Sequence, residues 1–348
     1  MTLRNTQYVP VIRTRRAELK GLSYIQKATL RHIVPLIEYT KSRRSSKNPD
    51  GSISISIEKT KDILGDQPYI ADITSLKNLQ NKEILQLLNP ENNFSKWTEF
   101  VKKQLPPNCV PTLHLTLPFS EESLKTQVSK FRDQHEYLAV RIPTSYDEYT
   151  DVLKTLQGIL GNLEKIVILI DASFVQPRVV DGAVAKLTEM VRECNKYAPI
   201  FCSTLASSFP NSVVSTGYGG DEHGAFALTE VTISEKIKNT FPEATIVHGD
   251  YASIHPLDFD GTITNWVPRV DVPLNKHLYY YRYRRDDGGY IHAAKRAVKD
   301  KAYVRLNCWG CDNIEDAAKG EPQGRNPAHW IAVRLNIHMT RQIKRLTR

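Results

Sequence analysis

The sequence contains no apolar run approaching the ~18 residues that a membrane-spanning helix requires. Its opening, MTLRNTQYVP, lacks the charged-then-apolar pattern of a secretory signal, so a cytoplasmic protein is the expectation. Cysteine is scarce and odd in number, five in 348 residues, which argues against a secreted disulfide framework. There is no glycine-rich phosphate loop after the first apolar segment, where Arg13-Thr14-Arg15-Arg16 stands instead, and this disfavours an open dinucleotide-binding sheet. Ser207-Ser208 does not sit in a G-x-S-x-G elbow, so no serine nucleophile is supported. Disorder is excluded as a whole-chain description by 41% apolar against 24% charged residues.

What is present is a rhythm. Eight short apolar runs recur along the chain: YVPVI from Tyr8, IVPLI from Ile33, YIADI from Tyr69, VPTLHLTL from Val110, YLAVRI from Tyr137, IVILI from Ile166, PIFCSTLA from Pro199 and ATIVH from Ala244. Most lack polar–apolar alternation, as expected of strands buried on both faces. Helix-like stretches separate them; Ser120–His135, for example, opens SEESL with Ser120 as its cap. SISISIEKTKDIL, before the third run, alternates like an extra strand, and the link before the fourth is long enough for two helices. Eight strand–helix units predict an α/β fold, a (β/α)8 TIM-barrel-like body over residues 1–259. Residues 260–348 break the rhythm and read as a basic α+β appendage packed on that body. Polar residues 41–54 and Gly-rich residues 211–227 read as loops, the second as a binding loop or lid.

The positive charge is localised. The net charge is +9, and residues 269–348 hold 17 basic and 8 acidic side chains, so the rest of the chain balances to zero. A basic segment on a neutral body points to an acidic partner, whether nucleic acid, nucleotide or an acidic protein surface. HLYYYRYRR, from His277, interleaves tyrosines with Arg282, Arg284 and Arg285, the composition of a single-strand nucleic-acid platform, although one tyrosine face would serve equally as core. Cys308-Trp309-Gly310-Cys311 is a CxxC. A zinc site would need two further ligands, and His329 and His338 lie outside the usual finger spacing, so two reduced structural thiols are expected.

The opening YVPVIRTRRAELKGL…IVPLIEY resembles the beginning of the beta family, named after the beta protein of a T-even phage. The matching positions are Tyr8, Pro10, Arg13, Glu18 and Pro35 to Glu38. IVILIDAS, SSFP, HGDYASI and AHWIAVRLNIH look like the family too, so the resemblance spans nearly the whole chain. It implies a barrel-like protein of phages and bacterial mobile or defence islands, and it implies no activity and no catalytic residues.

In a barrel the carboxyl ends of the strands converge on one mouth. Those ends carry Arg13, Glu38, Asp72, His114, Arg141, Asp171, Ser207 with Ser208, and His248 with Asp250. Charges buried there must pair with one another or meet a ligand. Glu38, Asp171, His248 and Asp250 are the candidate catalytic residues. The acids, Asp72 included, would hold a divalent cation, and His114 or His248 would act as ligand or base for phosphoester hydrolysis. Arg13, Asp72, His114 and Arg141 are the candidate ligand-binding residues, with the two guanidinium groups clamping a phosphate or carboxylate. Metal-free acid–base catalysis by His114 or His248 and a purely structural ion-pair network remain open alongside. Together these point to a phage- or defence-associated barrel engaging a phosphate-bearing ligand, nucleotide or nucleic acid, and hydrolysing it in the catalytic version. The alternative is a non-enzymatic protein-interaction component acting through the basic appendage, with no membrane involved.

Overall fold

A computed structural model describes residues 3–46, 48–214, 221–258 and 266–347. Eight strands close into a parallel barrel in the order β1 (Tyr8–Arg13), β2 (Leu36–Tyr39), β3 (Tyr69–Ile73), β4 (Cys109–Leu113), β5 (Leu138–Pro143), β6 (Ile166–Phe174), β7 (Phe201–Ser207) and β9 (Ile246–Asp250). Each of the eight apolar runs thus supplies one barrel strand, and the fold is the expected (β/α)8 barrel.

β8 (His223–Ala227) leaves the barrel. It pairs with β11 (His277–Arg282), which pairs with β10 (Arg269–Pro273), in an antiparallel three-stranded sheet. The last five residues of the stretch read as a Gly-rich loop therefore form a strand, while its residues 215–220 lie outside those described. The body–appendage boundary at 259/260 also falls outside the described residues. The three-stranded sheet takes one strand from before that expected boundary and two from after it.

Alternation sorts the barrel side chains into two cores. Val9, Val11, Leu36, Ile70, Val110, Ala139, Val167 and Leu169 fill the interior. Ile12, Ile37, Ala71, Val140 and Ile168 face outward against the helices. Each fully buried aliphatic side chain contributes roughly 1.5–3 kcal/mol of transfer free energy, which makes these two layers the main source of stability.

SISISIEKTKDIL corrects the expectation of a strand: it forms the helix Ile53–Leu64. Ser52 caps it by accepting the Ser54 N–H, Gly65 ends it at φ +53°, and Ile53, Ser56, Ile57, Thr60 and Leu64 are buried at helical spacing. The two-residue alternation was coincidental with a 3.6-residue stripe. Two helices, Lys82–Leu87 and Glu91–Gln104, do occupy the following link.

The helix Pro327–Leu346 packs against both the helix Arg16–Ser23 and the helix Trp309–Lys319. A Cβ on Gly21 would lie 2.7 Å from Leu335 Cδ2, and one on Gly310 would lie 2.5 Å from Ile337 Cγ1, so both neighbouring helices touch it backbone-close at a glycine. Between them the buried Asn336 accepts the Gly310 N–H at 2.9 Å and donates to the Gly21 carbonyl at 3.3 Å.

Candidate functional site at the barrel mouth

The inward alternation that packs Val11, Leu36 and Ile70 places the side chains two residues later, Arg13, Glu38 and Asp72, at the top of the interior. Register brings them level: Arg13 pairs with Glu38, and Glu38 with Asp72. Two carboxylates side by side repel unless a cation lies between them. Arg141 is that cation. Its Nη1 lies 2.8 Å from Glu38 and 3.0 Å from Asp72, its Nη2 2.8 Å from Asp171, and Nη2 also donates to the Tyr251 hydroxyl at 2.9 Å. Nε donates to Asp171 at 2.9 Å, so all three nitrogens are engaged.

Arg13 is saturated as well. Its Nε meets Glu38 at 3.0 Å, and its two terminal nitrogens donate to the carbonyls of His255 and Pro256 at 3.0 and 2.6 Å, pulling that segment across the mouth. Tyr251 donates to Asp171 at 2.7 Å. Asp171 also accepts the N–H of Ser173 at 2.8 Å, across a bulge where Ser173 adopts φ +55°.

His114 is the exception in this saturated layer. It follows β4 directly, and Gln127 fixes its backbone by accepting its N–H and donating to its carbonyl, both at 2.9 Å. The ring stacks on Trp97 with centroids 4.8 Å apart and meets the edge of Phe94 at 5.4 Å. Nε2 faces Asp72 at 3.4 Å, within ion-pair range, and Nδ1 makes no hydrogen bond among the described residues although the side chain is only 9% exposed. Burial opposes ionisation of Asp72, but His114 beside it and the charge of Arg141 outweigh that and hold its carboxyl below the usual range. Burial likewise opposes charge on Arg141, and its anionic neighbours more than restore it, raising the guanidinium well above its ordinary value.

Above this layer lies a cavity of about 520 Å³. Its floor is Glu38, Asp72, Asp171, Arg141, His114 and Tyr251; its walls are mostly apolar, with Leu76, Leu88, Phe94, Leu115, Leu117 and Leu257 beside a few serine and threonine residues.

His248 and Asp250 do not join the mouth, which corrects the placement expected from their strand end. They alternate with the inward-facing Val247 and Tyr251 and so point outward, under the helices. Asp250 accepts from Tyr8 at 2.5 Å and from the Ala252 N–H at 2.7 Å, and its other oxygen meets His338 at 2.7 Å and His248 at 3.3 Å. Burial works against its charge, yet the two imidazoles hold the carboxyl far below the ordinary range. His248 is itself pushed down by burial, against the pull of Asp250. Gly249 leaves no room for a ligand: a Cβ there would lie 2.4 Å from Ser203 Oγ. Ser207 donates to the Ile254 carbonyl, and the Ser208 N–H is taken by Glu230.

Two buried acids carry a pH signature. Burial raises both Glu18, which accepts the Arg13 N–H at 2.7 Å, and Glu230, on which Asp250 adds repulsion, from 4.5 to about 7. Between pH 4.5 and 7 the folded chain keeps protons that the unfolded chain releases, so this contribution to stability declines as pH rises through that window. Urea unfolding at pH 5 and 7.5 should show Glu230→Gln losing less stability than wild type over the interval, by about 2 kcal/mol. Parallel pH curves for the two proteins would contradict the assignment.

The basic strand departs from the expected platform. Tyr280, Tyr281 and Tyr283 are buried in two separate hydrophobic clusters, so no row of tyrosine faces is open. Arg282 is paired with Asp221, Arg284 stands 3.8 Å from the same carboxylate, and Arg285 stacks on Trp266 at 4.7 Å. Cys308 and Cys311 are buried free thiols, and the Leu306 N–H points at Cys311 Sγ at 3.4 Å. His338 is committed to Asp250, and His329 Nδ1 stands 3.3 Å from Lys20 Nζ. Among the described residues no group of three or more His, Cys, Asp or Glu side chains is placed to hold a metal ion, and no helix is long and apolar enough to cross a membrane.

Sequence reasoning missed Tyr251, Glu230, His338 and Trp97 as site residues. Tyr251 and His338 nevertheless stand inside HGDYASI and AHWIAVRLNIH, two of the segments that carry the family resemblance.

A closed parallel barrel with one polar layer at the carboxyl ends of its strands defines a (β/α)8-barrel protein with its cavity in the usual place for that fold. Comparison with known sequences gives the family. The chain belongs to the beta protein family, whose sequence model matches residues 8–344. It is 30% identical over 345 residues to the protein called "Protein beta" of Enterobacteria phage P4, covering 98% of this chain and 94% of that protein. That source, phage P4, replaces the T-even phage of the motif reading.

Proposed function

We propose that the mouth is a binding pocket for a small organic molecule that donates hydrogen bonds, through hydroxyl or amine groups, with Asp72 and His114 as the pair that faces the bound group. The observation that carries this reading is the buried His114 in the lining of a cavity floored by three carboxylates and one guanidinium: its Nδ1 has no hydrogen bond among the described residues, and its Nε2 faces only Asp72 at 3.4 Å. Buried polar atoms are almost always satisfied, so an unsatisfied nitrogen on a side chain that lines a cavity marks a place where a partner is missing. An imidazole next to a carboxylate is also an apt proton-transfer pair at neutral pH.

The phosphate and metal readings fit less well. A phosphate would have to displace a carboxylate from Arg141 or a carbonyl from Arg13. A divalent cation would compete for the position that Arg141 already fills among the same three acids. The protein-interaction alternative has one observation in its favour: Leu117, 81% exposed, and Leu257, 49% exposed, form an apolar rim that a partner's side chain would cover.

The test is to soak crystals with a fragment set of polyols, amines and phosphates. Hydroxyl or amine fragments are expected on the floor against Asp72 and His114. Phosphates seated on Arg141, with the floor otherwise bare, would overturn the reading.

A further inference from the structure

The arginines of β11 are engaged within the protein, but the neighbouring helix Gly289–Lys299 carries cations that are not. Tyr290, Ala293, Ala294 and Ala297 form its buried face. At 100° per residue, His292, Lys295, Arg296 and Lys299 share the opposite face, and Lys301 follows just beyond the helix end. Lys295, Arg296, Lys299 and Lys301 are exposed and form no ion pair among the described residues. The nearest acid in sequence, Asp300, is occupied: it accepts the Tyr281 hydroxyl at 2.7 Å and the Ala302 N–H at 2.8 Å. The helix dipole accounts for Arg296 and Lys299 in the last turn, but not for Lys295 or Lys301.

We propose that this face of the helix Gly289–Lys299, continued by Lys301, binds the sugar–phosphate backbone of a nucleic-acid strand. The row from Lys295 to Lys299 runs about 6 Å along the helix axis and is continued by Lys301, which spans roughly two phosphates of one strand. A linear polyanion matches a linear row of unpaired cations. A membrane surface is less suited, because the outward face presents no large apolar side chain to insert. Contacts of this kind position a strand without reading its bases. The proposal stands apart from the pocket at the mouth, and either can fail alone.

Fluorescence anisotropy with a labelled 20-nucleotide oligothymidine tests it, using the full chain between 50 and 300 mM KCl. The quadruple variant K295Q/R296Q/K299Q/K301Q is compared with K27Q/K59Q/K102Q/K130Q, which removes the same charge from exposed barrel positions. Wild type is expected to bind with an affinity that falls steeply with salt. The helix variant should lose at least roughly tenfold at 100 mM, with the log–log salt slope reduced by roughly 3, while the barrel variant stays near wild type. No binding by wild type at 50 mM, equal weakening in both variants, or equally strong displacement by polyglutamate would each overturn the proposal. Unchanged melting temperatures confirm that loss of binding is not loss of fold.

Discussion

Replacing Arg141 by methionine is expected to destabilise the protein by about 3–5 kcal/mol, the range for leaving buried charges without their partner. Glu38, Asp72 and Asp171 each lose a bond of 2.8–3.0 Å to the same guanidinium, and Tyr251 loses a donor. Methionine keeps most of the side-chain volume, so the loss is electrostatic and not a cavity. The variant also has a distinctive pH dependence. In the wild type Asp72 lies below its ordinary value, so its contribution is complete above pH 3.8 and is lost as pH falls further. Without Arg141, one of the influences that lower Asp72 is gone while burial still raises it, so its carboxyl moves up. The difference in stability between wild type and variant should then narrow on acidification from pH 7 to 5, because the Asp72 contribution in wild type is flat there and the response of Glu18 and Glu230 is common to both proteins. Urea unfolding of both proteins at pH 5, 6 and 7 measures this. A variant within 1 kcal/mol of wild type, parallel to it at all three pH values, would remove Arg141 from its central role.

Asp250→Ala is the second large effect, expected at about 3–5 kcal/mol although the residue lies outside the mouth. The substitution strands the Tyr8 hydroxyl, His338 and His248 in a region that water does not reach. Because His338 is carried by Pro327–Leu346, the damage should appear first at that helix's contact with the barrel. Hydrogen exchange should show amides of 327–346 opening well before those of β5 and β6. Uniform acceleration throughout the chain would mean that Asp250 supports the barrel alone. Since Tyr251 follows Asp250 and donates to Asp171, the same strand end sets both the outer latch and the inner floor.

The barrel was legible because parallel strands buried on both faces must be short apolar runs, and eight such runs at βαβ spacing leave few other topologies. Glu38 and Asp171 were readable for a related reason: each follows its apolar run directly, and strand alternation then directs it inward. His248 and Asp250 were misplaced because the same alternation is sensitive to a single residue of phase; with Val247 and Tyr251 inside, they must lie outside. SISISI deceived because two-residue alternation over six residues also satisfies part of a helical stripe. The saturation of Arg13 and Arg141 was beyond reach of the sequence, since it depends on five strands brought level by barrel closure and on carbonyls of His255 and Pro256 far along the chain. His114 could be nominated but not singled out. Its isolation follows from Trp97 and Phe94, which come from a helix that sequence periodicity placed only roughly.

The central claim is that one guanidinium fastens carboxylates from three separate strands into a single layer. A double-mutant cycle between Arg141→Met and Asp171→Asn, read by urea unfolding at pH 7, addresses it directly. A coupling energy of about 2 kcal/mol or more is predicted, because Asp171→Asn should cost much less once Arg141 is gone. Additive losses, within about 0.5 kcal/mol, would mean that the two residues act independently and that the layer is not a unit.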